Sequence, residues 1–121
     1  RSSAASDVYK RQLLDNHKIG DILLLKGVNA YYGGNTDDVY YSFKEAYKHY
    51  VAGETSRYWI KKHLLEENIA YTFTKLGIYR MGYDISFLPA EYRQPILIFE
   101  EKFTASGIQR TGDLHLNLPL I

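Results

Sequence analysis

The stretch Lys48–Asn68, KHYVAGETSRYWIKKHLLEEN, decides the fold. Gly53 divides it, and Thr55 or Ser56 offers a helix start beyond the glycine. Trp59, Ile60, His63 and Leu64 then share one face of a helix over Thr55–Glu67, with Asn68 as terminator. That helix leaves Glu66 and Glu67 in its last turn, the unfavourable end for a carboxylate. What precedes Gly53 has two readings. The stripe Val39, Phe43, Ala46, Tyr47, Tyr50 carries a helix from Thr36 up to the glycine, or the helix stops near Tyr47 and leaves a short strand at Lys48–Ala52. The first reading gives two helices in a row, the second a β-α-β-α alternation.

The neighbouring apolar runs favour the alternation. Asp21–Lys26 (DILLLK) and Pro95–Glu100 (PILIFE) are short, continuous and apolar between charged or proline ends, as strands buried on both faces of a parallel sheet are. Ile69–Thr74 (IAYTFT) is rich in β-branched and aromatic residues and reads as a third strand, and Asp113–Leu118 alternates as an edge strand. Gly33-Gly34-Asn35 marks a turn, with Thr36 as N-cap and Asp37 and Asp38 in the first helical turn. The expected fold class is therefore α/β, a small, mostly parallel sheet with flanking helices, as in a piece of a larger doubly wound protein.

Ser2–Gln12 (SSAASDVYKRQ) resembles a translated sequencing adaptor at every position, so residues 1–12 are set apart as a non-native leader and 13–121 as the α/β fragment. Residues 1–12 hold Arg1, Lys10 and Arg11 against Asp7, so without them the formal charge of +1 becomes −1. No basic field then remains to suggest a nucleic-acid partner. The chain has no cysteine, which excludes disulfides, thiolate metal sites and a cysteine nucleophile, and fits a cytoplasmic location. No apolar run approaches a membrane span.

Five residues are candidate ligand contacts. Glu100 and Glu101 follow the PILIF strand, and carboxylates at the carboxyl end of a parallel strand lie where open α/β sheets bind ligands. Arg80 and Asp84 belong to the loop Gly77–Asp84, GIYRMGYD, where an Arg80–Asp84 ion pair closing the loop is the alternative. Gly27 follows the DILLLK strand. The histidines at 17, 49, 63 and 115 have no metal-ligand spacing, no cofactor is expected, and Asp113 with His115 reads as surface alternation. The Gly33–Thr36 loop lacks the GxGxxG spacing and the lysine of a phosphate loop, so a plain capped turn is the simpler reading.

The order LLLKG (Leu23–Gly27), VAGETSRYW (Val51–Trp59), GIYRMGYD (Gly77–Asp84) and PILIF (Pro95–Phe99) resembles the waist of GT-B glycosyltransferases of the CDP-glycerol glycerophosphotransferase-like kind. The resemblance implies transfer of a sugar or alditol phosphate from a nucleotide-activated donor. It places an interdomain waist near 77–94, with Gly27, Arg80 and Asp84 lining the cleft. The chain departs from that pattern at Lys26, where the family has its catalytic histidine, and at Tyr79, where it has proline. A shorter stretch, Leu88–Glu100, is similar to an element of phage barnase/EndoU-like nuclease domains. A non-catalytic α/β interaction module is the third reading.

Overall fold

The computed structural model describes residues 4–53 and 59–106, and the regular elements among them are all helical. In order these are α1 (Ala4–Tyr32), α2 (Thr36–Ala52), α3 (Trp59–Leu76), a 3-10 turn (Tyr79–Met81) and α4 (Ala90–Ser106). No strand occurs among the described residues, so the α/β expectation with its parallel sheet is overturned. DILLLK lies inside α1, Lys48–Ala52 is the end of α2, IAYTFT continues α3, and PILIFE is part of α4. Asp113–Leu118 and the helix start at Thr55 or Ser56 lie outside the described residues. The chain divides between Lys62 and His63 into two compact units.

The first unit is a helical hairpin of α1 and α2. The buried face of α1 is His17, Gly20, Asp21, Leu24 and Gly27, a helical stripe with only one large apolar side chain. The apolar run instead winds round the helix: Leu24 is buried, while Ile22 is 64% and Leu25 41% exposed. The two glycines explain the stripe. A Cβ on Gly20 would lie 3.0 Å from the Tyr50 ring, and one on Gly27 would lie 2.3 Å from the Phe43 ring. Gly20 and Gly27 are seven apart, as are Phe43 and Tyr50, and they pair in opposite order, as antiparallel helices require. Large rings on α2 thus fill the space of absent side chains on α1, which offsets the roughly 1 kcal/mol that a helical glycine costs.

Gly34, at φ 77°, ends α1. The Asn35 N–H donates to Ala30 O and the Gly34 N–H to Tyr31 O, a Schellman closure. Asn35, not Thr36, is the N-cap of α2: its side chain accepts the Asp38 N–H at 3.1 Å, and its amide donates to the Asp38 carboxylate at 2.8 Å. The α2 stripe of Val39, Phe43, Ala46, Tyr47 and Tyr50 is wholly buried, and Gly53 caps the helix through its N–H to His49 O. A helix that carries its stripe to Tyr50 has no reason to turn into a strand at Lys48.

In the second unit, Leu65, Ile69 and Phe73 form the buried stripe of α3. This four-residue spacing runs straight through IAYTFT and overrides its β-propensity. Asn68 sits inside the helix, its amide donating to Leu64 O at 2.8 Å, so it terminates nothing. Glu66 and Glu67 are consequently mid-helix. Trp59 and Leu64, expected to fasten the helix, are 49% and 39% exposed. Gly77, at φ 69°, ends α3 through a second Schellman closure, with the Ile78 N–H donating to Phe73 O and both side chains buried. After the 3-10 turn the chain passes the buried Ile85 and Leu88 into α4, which buries Ile96 and Glu100. Pro95 lies within α4 on its exposed side and has no N–H for Glu91 O. No described helix is long and apolar enough to cross a membrane.

Candidate functional site

The five predicted ligand residues are divided between the two units. Gly27 packs against Phe43 within the first unit. The other four lie in the second unit, where the main chain at Arg80 meets the Glu100 carboxylate. The Glu100 carboxylate is buried and accepts the Arg80 N–H at 2.8 Å and the Tyr79 N–H at 3.3 Å. It therefore caps the 3-10 turn from a helix twenty residues away in sequence, a charge-assisted use of donors that the turn itself leaves open. The Arg80 guanidinium folds back over Gly77. Asp84 is exposed and accepts both the backbone N–H and the hydroxyl of Ser86, each at 2.9 Å, a local Asx turn. Glu101 is exposed on α4. The Gly33–Thr36 loop is a capped turn whose first-turn donor is taken by Asn35.

Two polar clusters went unread in the sequence. In the first unit the Asp21 carboxylate accepts the Tyr50 hydroxyl and lies 2.9 Å from Lys61 Nζ, which also sits 5.3 Å from the centre of the Tyr50 ring. His17 stacks on the other partner of the pair, 6.2 Å from Tyr50, and His49 Nδ1 lies 2.8 Å from Asn16 Oδ1. This network ties α1, α2 and the start of α3 together. Reading DILLLK as a helix would have revealed it, because His17, Asp21 and Leu24 then fall on one face.

In the second unit Glu66 is buried on α3 and lies 2.9 Å from His63 Nδ1. The Tyr92 hydroxyl is 3.5 Å from the same nitrogen. Burial raises the Tyr92 phenol above its ordinary pKa, and the negative charges of Glu66, Glu91 and Glu67 raise it further. A carboxylate behind a half-exposed imidazole fixes the ring, as orienting acids do in base catalysis. No group of three or more acidic or histidine side chains among the described residues could hold a metal ion.

Beside this acidic cluster runs the outer face of α4. Glu91, Gln94, Pro95, Ile98 and Phe99 line a shallow groove of about 510 Å³. Ile98 is 49% and Phe99 42% exposed. The spacing of these residues puts them on one side of the helix, opposite Ile96 and Glu100. No protein-family model, curated protein or solved structure matches the chain.

Leu23–Gly27 and Pro95–Phe99 are helical, Val51 and Ala52 end α2, and Gly77–Asp84 holds a 3-10 turn. The strand–turn–helix order behind the resemblance is absent from the described residues.

Proposed function

We propose that this chain is a helical interaction module that binds a partner through the outer face of α4. The observation behind this reading is the apolar groove of Pro95, Ile98 and Phe99, open on a helix that already has a buried face of its own. Contiguous apolar surface with a charged rim favours protein contact over solvent. The carboxylates named for ligand binding support the same reading, since Glu100 and Asp84 are spent on backbone donors rather than directed at a substrate.

The test is a peptide-library selection against the full chain, with the Ile98→Asp/Phe99→Asp variant for counter-selection. Peptides that bind the chain and lose the variant support the module. A selection that yields no peptide able to tell the two apart refutes it.

A further inference from the structure

Resting on the reading of α4 as a contact surface, we infer that its groove docks the outer face of α1 from a second copy of this chain. Two complementary surfaces carry the inference. The groove is apolar at Pro95, Ile98 and Phe99 and acidic at Glu91. Glu91 is exposed, so its carboxylate lies at the rim of the groove. The outer face of α1 has the opposite sign. Lys18, Ile22, Leu25 and Lys26 are all exposed, and their spacing places both lysines beside the two apolar side chains on one helical face.

A helix laid into an apolar groove is read by anchors at such spacing, and opposite charges at the rim fix its register. Pairing the α1 face with itself would bring Lys18 and Lys26 against each other. The contact joins two different patches, so each copy offers a donor face and an acceptor face. Association of this kind is head to tail, and it adds copies beyond a dimer unless the rotation closes a ring.

The experiment is sedimentation or light scattering of the full chain over a range of concentration and salt. The average mass should rise with concentration above that of one chain and fall as salt is added. Lys26→Glu and Glu91→Lys should each weaken association about tenfold, as loss of a charge pair and gain of a like-charge contact require. Ile98→Asp should abolish it. An equimolar mixture of the Lys26→Glu and Glu91→Lys chains should associate again, because each contact between unlike chains then joins opposite charges. All three substitutions are at exposed positions, and far-UV circular dichroism checks that each variant stays folded. A chain that remains monomeric throughout, or associates equally well with these substitutions, overturns the inference. If discriminating peptides are nevertheless selected, the contact surface stands without self-docking. If neither is found, both readings fall.

Discussion

Substituting Gly27 by alanine tests the fold at its narrowest point. The new Cβ would lie 2.3 Å from Phe43 Cε1 and 2.4 Å from Cδ1. Carbon atoms sit comfortably at about 3.5–4.0 Å, so the ring or the helix must retreat by more than ~1 Å. Phe43 is completely buried, which leaves its ring no solvent side to move into. Overpacking of this kind costs roughly 1–3 kcal/mol, and a clash this deep belongs in the upper half of that range. Alanine returns about 1 kcal/mol of helix propensity. The net expectation is a loss of ~1–2 kcal/mol, or a fall in Tm of roughly 4–8 °C at about 4 °C per kcal/mol. Gly20→Ala is the graded control: its Cβ would meet Tyr50 at 3.0 Å, a milder contact that the propensity gain nearly cancels. Urea and thermal unfolding followed by far-UV circular dichroism measure both. Phe43→Leu in the Gly27→Ala background should recover part of the loss, giving a coupling of about 1 kcal/mol between the two sites. If Gly27→Ala proves as stable as the parent, or more stable, the close approach of α1 and α2 is refuted.

Glu100→Gln should destabilise the chain by about 1–2 kcal/mol by weakening two charge-assisted bonds, and should speed amide exchange at Tyr79 and Arg80, whereas Glu101→Gln stays within ~0.5 kcal/mol. Asn35→Ala should cost about 1 kcal/mol in urea unfolding and Thr36→Ala clearly less, because Asn35 holds the cap; the reverse order would move the start of α2. The raised phenol of Tyr92 means that the folded chain holds this proton more tightly than the unfolded chain. Its contribution is present below the ordinary value of 10.0 and is lost as pH rises through the higher folded value. Tyr92→Phe should therefore flatten the alkaline fall in unfolding free energy relative to the parent, and identical alkaline limbs would contradict this.

The helix α2 was legible because its stripe, from Val39 to Tyr50, is made of the residue types that a stripe is expected to contain. The face of α1 was not. It is built from Gly20, Asp21, Gly27 and His17, so the hydrophobic pattern points at Ile22 and Leu25, which face solvent. A glycine signals a turn in a sequence read locally, and only the ring facing Gly27 from α2 reveals it as a packing position. IAYTFT and PILIFE misled for a related reason: four to six apolar residues fit a strand or one and a half helical turns equally well. For IAYTFT the deciding signal is the four-residue spacing back to Leu65, outside the run. Glu100 reads in the sequence as a candidate ligand carboxylate, but its bonds are to donors on a turn that no local pattern places beside it. His63 and Glu66 already share the helix predicted over Thr55–Glu67; what no local pattern shows is that Tyr92, on α4, meets them.

The ring-to-glycine pairing of α1 and α2 also bears on how the hairpin forms. Its contacts join two helices that are neighbours along the chain, across a turn of three residues already bent by Gly34. Little loop entropy is spent before the rings find their places, so this unit belongs among fast, locally nucleated folders. Sliding one helix by a turn would bring side chains of α1 against rings that only the glycines can accept. The same two positions that let the helices touch also leave the searching chain a single groove in which to stop.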